Sequence, residues 1–420
     1  MPANRFVPLL LTSLLMPGTS AAAAAPKYYD VAYRAHFRPD AGVVDMEIAL
    51  SGERLPSRIV LNVDARRHKQ FTSTDPLQIE PSHVTWQPRG RASRLRYQFI
   101  VDYQRAPQRY DSRMTEEWAI FRAEKMVPRA SVTARRSLHS RATLEFELPQ
   151  NWAVATPYGS VGELRYQFDD PERRFDQPEG WMLAGKIGSR NEKIGGVRVV
   201  VAAPAGDNAR RQDMLTFLKF TLPRMQEVFA HFPPRLLIVS AGDPMWRGGL
   251  SGPSSLFLHS DRPLISENRT STLLHELAHI ALGVRGDEES DWIVEGLAEL
   301  YSLETLRRSG SISEQRYKQA LRRLADWSKR SPTLFASHSN GATTARAVLA
   351  LHAADAEIRS ATGGKATIDD VARKLASERG TVSLVRLQKA AQEVAGRPLR
   401  SLEREQLAKP PLKSPAARDG

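Results

Sequence analysis

Ser271-Thr-Leu-Leu-His-Glu-Leu-Ala-His279 contains the pattern His-Glu-x-x-His. Side chains four positions apart lie on one face of an α-helix, so His275 and His279 can both direct a ring nitrogen at the same metal ion. Glu276 lies one position further round the helix, where its carboxylate can reach a water molecule at the metal instead of the metal. Ser271 can cap the start of such a helix. The spacing therefore predicts a metal-binding helix over residues 271–282.

A second pattern with the same spacing follows after a short polar connection, in Asp291-Trp-Ile-Val-Glu-Gly-Leu-Ala-Glu299. Glu295 and Glu299 are again four positions apart and face one way on a helix. A catalytic zinc ion takes three protein ligands and keeps one position for water. The two motifs supply such a ligand set: His275, His279 and Glu295. Glu299 can accept a hydrogen bond from the free nitrogen of a ligand histidine. The alternative for both glutamates is a solvated helix face.

This motif pair resembles the gluzincin metallopeptidases, and in particular their peptidase MA-like domains. The resemblance implies a zinc metallopeptidase with Zn²⁺ as its cofactor and a peptide or protein as its substrate. It implies a thermolysin-like, mainly helical domain around the metal. In such a site Glu276 acts as the general base that takes the proton of the attacking water.

A weaker resemblance extends to the glycyl aminopeptidase family. Leu148-Pro-Gln-Asn-Trp-Ala-Val-Ala-Thr156 is similar to the strand region that closes the N-terminal β-domain of that family. Asn340-Gly-Ala342 and the segment 357–370 are similar to its later helical region. These segments together imply a β-domain that is followed by the helical peptidase domain.

Two positions depart from the pattern of the aminopeptidase families. In those families a glutamate after a Gly-rich turn holds the free amine of the substrate, and Ser251 stands there in Gly248-Gly-Leu-Ser-Gly252. His338 stands where they have an oxyanion-binding tyrosine; it can donate a hydrogen bond in the same way or lie on the surface as a loop residue. We therefore expect an enzyme that does not require a free N-terminus. Asp261 and Glu267 are the nearby carboxylates that can substitute for the missing glutamate.

The hydrophobic pattern divides the remaining chain into two domains and a tail. Residues 26–204 contain short alternating runs separated by turn residues, such as Thr143-Leu-Glu-Phe-Glu-Leu148, and this pattern predicts an antiparallel β-sandwich. The resemblance implies that residues 205–400 form a gluzincin-like catalytic domain, and residues 401–420 are polar and are predicted to be a disordered tail. The fold class is multidomain α+β. After residue 270, apolar positions at helical spacing predict six helices: 271–282, 291–308, 313–329, 341–361, 367–377 and 383–395.

Three local features are expected in the catalytic domain. Pro223 should kink or split a helix over residues 209–231, because proline lacks the N–H that a helix interior requires. Leu256-Phe-Leu-His259 can be an edge strand to which an extended peptide adds. Gly296, beside Glu295, would let the two metal-binding helices approach closely.

Composition excludes several classes of protein. The chain has 420 residues, of which 60 are Lys or Arg, 47 are Asp or Glu and none is Cys. The absence of cysteine excludes disulfide scaffolds, thiolate zinc sites and cysteine nucleophiles, so any metal must be bound by His, Asp or Glu. The net charge of +13 is scattered and forms no basic-aromatic stripe, so we expect no nucleic-acid partner.

The N-terminus has the pattern of a secretory signal peptide. Arg5 precedes an apolar run over residues 6–16, and Ala21–Ala25 provides a small-residue cleavage zone. We therefore predict a signal peptide over residues 1–25 and a periplasmic or secreted protein without a stable membrane anchor after cleavage. The alternative is an uncleaved anchor.

The sequence as a whole predicts an exported zinc-dependent peptide hydrolase. One alternative is a zinc amidase that acts on cell-envelope material, and another is a catalytically inactive, peptidase-like binding protein. The presence of Glu276 beside a complete ligand set argues against an inactive protein. No Gly-x-Ser-x-Gly pattern occurs, so the usual signature of a serine hydrolase is absent. The oligomeric state is left open.

Overall fold

The computed structural model describes residues 27–168, 173–230 and 232–409. The predicted signal peptide, residues 1–25, lies outside the described residues. Within them, the N-terminal part is rich in β-sheet and the C-terminal part is mainly helical, so the chain is a multidomain α+β protein. None of the helices described is both long enough and apolar enough to cross a membrane.

Strands predominate in the first half of the described chain and helices in the second. The strands are β1 (Lys27–Arg38), β2 (Val43–Ser51), β3 (Arg58–Asn62), β4 (His68–Ser73), β5 (Leu77–Ile79), β6 (His83–Trp86), β7 (Ala92–Ile100), β8 (Tyr103–Ala106), β9 (Arg109–Met114), β10 (Trp118–Arg122), β11 (Ala130–Thr133), β12 (Leu138–Glu147), β13 (Ala153–Ala155), β14 (Gly159–Gly162), β15 (Arg165–Phe168), β16 (Trp181–Gly185), β17 (Ile187–Ile194), β18 (Val197–Pro204), β19 (Arg235–Ala241), β20 (Gly249–Gly252), β21 (Ser255–His259), β22 (Val284–Gly286) and β23 (Gly380–Val382). The helices are α1 (Ala123–Met126), α2 (Arg211–Gln226), α3 (Thr272–Leu282), α4 (Asp291–Arg308), α5 (Glu314–Ser328), α6 (Gly341–Thr362), α7 (Ile368–Glu378), α8 (Leu384–Ala395) and α9 (Arg404–Ala408), with 3₁₀ turns at Pro39–Ala41 and Arg400–Leu402.

The N-terminal strands form three sheets that share one apolar core. Their orders are β14-β15-β12-β1-β2-β7-β4, β13-β16-β10-β9-β8 and β11-β3-β6-β5. Side chains along β2 alternate between buried and partly exposed, as in a sheet with one face on a core. β1 runs parallel to β12, from Lys27 opposite Leu138 to His36 opposite Glu147. The prediction of antiparallel pairing is wrong at this pair, because an alternating sequence specifies a strand but not the direction of its neighbour.

A second five-stranded sheet, in the order β17-β18-β19-β21-β20, opens the C-terminal part. β18, β19 and β21 run parallel to one another, and α2 connects β18 to β19. Pro223 lies in the last turn of α2, and the helix continues through it to Gln226. The predicted split at Pro223 therefore does not occur.

The edge of this sheet is β20 and not the predicted strand Leu256–His259. Those residues belong to β21, which is buried along its whole length between β19 and β20. β20 pairs antiparallel with β21, from Gly249 opposite Leu258 to Gly252 opposite Ser255. The apolar character of β21 reflects burial on both faces, which a short apolar run does not distinguish from an edge position.

The six helices predicted after residue 270 are confirmed, with bounds that differ by at most one residue. Apolar positions at helical spacing place one face of each helix in a common core. Polar side chains begin most of them, because a cap accepts a hydrogen bond from a backbone N–H that has no partner within the helix. The capping residues are Ser271, Ser313, Asn340, Thr367 and Ser383.

Gly296 lies on the side of α4 that faces α6, so the predicted role of Gly296 in the approach of α4 to α3 is wrong. A Cβ atom at this position would lie 2.6 Å from Cβ of Ala347 and 3.1 Å from Cδ1 of Leu351. The missing side chain lets α6 lie directly against α4. This contact supports the helix that carries Glu295.

The predicted disordered tail is wrong at its start. Residues 400–408 form a 3₁₀ turn and the short helix α9, with Leu402 and Leu407 buried. Arg346, on α6, donates hydrogen bonds to the carbonyl groups of Leu407 at 2.7 Å and Lys409 at 2.6 Å. The remainder of the predicted tail, residues 410–420, lies outside the described residues.

The α4–α6 contact predicts that Gly296→Ala will lower the free energy of unfolding by about 1–3 kcal/mol, the usual effect of overpacking a tight contact. Urea unfolding measures the change. Gly162→Ala is the control, because a Cβ atom there would lie 3.7 Å from its nearest neighbour, Cβ of Arg165. An unchanged free energy for Gly296→Ala would contradict the close packing of α4 and α6.

Candidate metal centre

The His-Glu-x-x-His motif lies on α3. Because one face of this helix is buried in the core, the opposite face is turned towards a cleft. Oγ of Ser271 begins the helix by accepting a hydrogen bond from the N–H of Leu274 at 3.3 Å. His275 and His279 occupy the partly exposed face, which borders a cleft. The opposite face is buried in the core and carries Leu273, Leu274, Leu277 and Ala278.

The predicted ligand atoms converge on one point. Nε2 of His275 and Nε2 of His279 are 3.1 Å apart. Glu295, on α4, places Oε2 3.3 Å from Nε2 of His275 and Oε1 3.4 Å from Nε2 of His279. Ligands about 2.0–2.1 Å from a tetrahedral zinc ion lie about 3.3 Å from one another. Two imidazoles and a carboxylate at this spacing therefore fit zinc.

Glu299 fixes the orientation of one ligand. Nδ1 of His275 donates a hydrogen bond to Oε2 of Glu299 at 2.9 Å. With the proton on Nδ1, the lone pair of Nε2 is free to bind a metal ion. The Glu299 side chain is only 14% exposed. Glu295 and Glu299 thus face the histidines, and the alternative of a solvated helix face does not describe them.

The electrostatics of the site are dominated by attraction between its acids and histidines. Burial alone lowers the pKa of His275, but hydrogen bonds with Glu295 and Glu299 raise it well above its ordinary value. Burial raises the pKa of Glu295, but hydrogen bonds from His275 and His279 hold it far below its ordinary value. The carboxylate of Glu295 is therefore ionised and favours a positive charge beside the ring nitrogens.

Glu276 lies directly under the edge strand β20. Its side chain is 8% exposed and borders the same cleft as the ligands. A Cβ atom on Gly249 would lie 2.7 Å from Cγ and 2.9 Å from Oε1 of Glu276. Glycine at this position therefore lets the backbone of β20 pass close to the carboxylate.

The cleft that contains these residues has a volume of about 1580 Å³. Small-molecule sites typically have volumes of about 300–1,000 Å³, so this cleft suits an extended substrate. One side of the cleft is formed by α3 and α4, and the other by β20 and by residues of the N-terminal part. All four residues of β20 line it.

Of the four other residues predicted for the site, one lines the cleft and three do not. Ser251 lies on β20 and lines the cleft. His338 is exposed on the loop before α6, and the described residues that line the cleft do not include it. Its role at the oxyanion stays a prediction from the sequence. Asp261 and Glu267 also lie outside that lining, so the structure does not place either of them where an amine would bind.

Sequence reasoning missed one feature of the cleft. Five arginines from the N-terminal part line it, and we call them the arginine wall: Arg105, Arg122, Arg129, Arg173 and Arg174. They come from several strands and loops that lie far from the zinc motif in the sequence. Only the high arginine content could have indicated them, and scattered positive charge does not specify a site.

Both parts of the chain together match solved structures. An aminopeptidase N family protein from Idiomarina loihiensis matches with a TM-score of 0.62 and 15% identity over 83% of this chain and 70% of that chain. An M1 zinc metallopeptidase from Deinococcus radiodurans matches with a TM-score of 0.57 and 17% identity over 93% of this chain and 95% of that chain. The fold is that of the M1 zinc metallopeptidases. Native yeast LTA4 hydrolase has it as well, with a TM-score of 0.55 and 14% identity over 93% of this chain and 68% of that chain.

The match confirms the gluzincin resemblance at the level of the fold. No family model matches the sequence, and no curated protein is detectably similar to it.

The hydrogen bond between Glu299 and His275 predicts a role in zinc affinity. Glu299→Ala should weaken zinc binding about 10–100-fold, because His275 loses the partner that orients its ring. Glu299→Gln keeps an acceptor oxygen and should lose less. Competition with a chromophoric chelator measures the affinity. Glu288→Ala, at an exposed position, serves as the control, and equal affinities of the wild type and Glu299→Ala would contradict the assignment.

Proposed function

We propose that the protein is an exported zinc-dependent peptide hydrolase. The observation that carries this proposal is the convergence of His275, His279 and Glu295 beside the carboxylate of Glu276. Among the described residues this group has three donors, and three protein ligands leave a position for water, whereas structural zinc sites are closed by four. The ligand set alone would support many zinc enzymes, and the extended cleft favours a polypeptide substrate.

Glu276 is the residue that moves the proton. Zinc, when bound, lowers the pKa of water towards about 7 and polarises a carbonyl group. Glu276 follows His275 on α3, so its carboxylate can take the proton of the attacking water as the water adds to the scissile carbonyl carbon. Glu276 then gives this proton to the nitrogen of the leaving amine. Glu299 keeps the ring of His275 in place throughout.

The edge strand β20 provides the binding surface for the substrate backbone. An edge strand presents unpaired N–H and C=O groups, and an extended peptide can add to it as a further strand. β20 lines the cleft, and its first residue, Gly249, lies against Glu276. A peptide paired with β20 would therefore pass beside the carboxylate that acts as base.

The proposal also includes the organisation of the chain and its location. It divides the chain into a β-sandwich domain over residues 26–204 and a thermolysin-like catalytic domain over residues 205–400. The common core of the three N-terminal sheets supports the sandwich. A signal peptide over residues 1–25 and a periplasmic or secreted location rest on the sequence pattern alone.

Replacement of the base gives a direct test of the mechanism. Glu276→Gln should lower hydrolysis of an unstructured protein such as casein about 10²–10⁴-fold, because an amide does not accept the water's proton. Zinc content and fold should remain unchanged, since Glu276 is not a ligand. Peptide release and elemental analysis measure the two properties. Full activity of the Gln variant would mean that Glu276 has a structural role only; Glu288→Gln is the surface control.

The substitution at Ser251 predicts that a free N-terminus is not required. An enzyme that buries the charged amine of a substrate must offset the loss of hydration with a carboxylate, which Ser251 does not supply. Matched peptides with free and acetylated N-termini should therefore be hydrolysed at comparable rates. The measurement is kcat/KM for each pair of peptides. A strong preference for the free amine would contradict the prediction.

A further inference from the structure

The acids beside the arginine wall are already held by arginines. Glu124 and Glu179 line the same part of the cleft, and their side chains are only 12% and 13% exposed. Glu179 lies 3.0 Å from Arg173 and 3.7 Å from Arg129. Glu124 accepts a backbone hydrogen bond at 2.8 Å and lies 3.9 Å from Arg122. Each carboxylate therefore already has a positively charged neighbour, which disfavours a second cation such as a substrate amine.

Counted over the described residues, the wall has more arginines than acids. Asp111 is a third acid in this region, and it lies 3.7 Å from Arg105 and 3.9 Å from Arg122. Among the described residues, three carboxylates thus lie beside the five arginines of the wall. Because the cleft is lined by protein on both sides, its low-dielectric walls focus this positive charge and screen it less than water would on a flat surface.

One arginine of the wall lies beside the first residue of β20, Gly249, which contacts Glu276. The guanidinium of Arg105 is 5.0 Å from the centre of the Trp246 ring, and the Trp246 ring contacts Gly248. Gly248 is followed by Gly249, the residue against Glu276. Arg105 is 44% exposed, so its N–H groups can reach a substrate that lies along the strand.

A second arginine lies beside the other end of β20. Arg122 is 4.6 Å from the centre of the Trp181 ring. A Cβ atom on Gly252, the last residue of β20, would lie 3.4 Å from Cδ1 of Trp181. The strand spans about 10 Å at 3.3 Å per residue. Arginines therefore lie at both ends of a segment long enough for about three residues of an extended peptide.

We propose that the cleft selects acidic polypeptides, whose Asp and Glu side chains bind the arginine wall while the backbone pairs with β20. The inference rests on the proposed function, since it names the substrate class of that site. It follows from the geometry of the cleft: guanidinium groups over two tryptophan rings flank the binding strand, and each of the three described carboxylates beside the wall has an arginine neighbour. Arg105 and Arg122 lie 3.7–3.9 Å from their neighbouring acids, beyond hydrogen-bond distance, so their N–H groups can still donate to a substrate carboxylate.

The test uses zinc-loaded Glu276→Gln protein, which reports binding without turnover. Rhodamine-labelled peptides of one sequence carry Glu, Gln or Lys at the same alternating positions, and fluorescence anisotropy gives Kd. At low salt the Glu peptide should bind about tenfold more tightly than the Gln peptide, and the Lys peptide should bind most weakly. The preference should shrink in about 1 M salt, where the Debye length is about 3 Å.

Substitutions in the arginine wall test whether its arginines cause the preference for the Glu peptide. In the Glu276→Gln background, Arg105→Gln and Arg129→Gln should each reduce the ratio of the two Kd values about two- to fivefold. Arg141→Gln is a matched control: Arg141 is 55% exposed, pairs with Asp30 at 3.2 Å and stacks on Tyr28 at 5.3 Å, but does not line the cleft. An equal reduction in Arg141→Gln would assign the effect to overall charge and overturn the inference.

Two outcomes separate this inference from the function on which it rests. Hydrolysis of casein by the wild type together with equal binding of the three peptides would overturn the acidic preference and leave the peptidase proposal intact. Selective binding of the Glu peptide without hydrolysis of any peptide by the wild type would support the acidic site and remove the proposed function.

Discussion

The candidate metal centre depends on the close approach of three polar groups from two helices. Nε2 of His275, Nε2 of His279 and the carboxylate of Glu295 lie 3.1–3.4 Å from one another in a partly buried position. Burial of such groups costs free energy unless they are paired or bind an ion. They are held there because the apolar faces of α3 and α4 share one core. Gly296 adds to this support, because its missing side chain lets α6 pack directly against α4.

The parts of the site that depend on one helix turn were predictable from the sequence. The spacing of His275 and His279 follows from the period of α3 alone, and the cap at Ser271 follows from local backbone chemistry. Prediction of the positions of Glu295 and Glu299 required one further assumption: that α4 packs against α3 directly after a short connection. Short connections usually join neighbouring elements, so the assumption was a sound one.

The parts that depend on distant segments were not predictable in the same way. β20 and β21 are both short runs, and which of them lies at the edge depends on a pairing that neither run encodes. Gly296 contacts α6, and nothing in the sequence around Gly296 distinguishes α6 from α3 as its neighbour. The parallel pairing of β1 with β12 joins segments about a hundred residues apart, where alternation gives no direction.

The residues proposed for catalysis and the residues proposed to select the substrate therefore come from different parts of the chain. The proposed metal ligands and the proposed base occupy one short stretch of the chain, whose geometry is set by helix period and by the packing of α4 against α3. The arginine wall is assembled from strands and loops of the N-terminal part, and tryptophans at the two ends of β20 lie against two of its members. Stacking on an indole ring suits arginine and not lysine, because the planar guanidinium covers the ring while its edge stays free to bind a carboxylate. Positive charge of the wall is therefore held near both ends of β20.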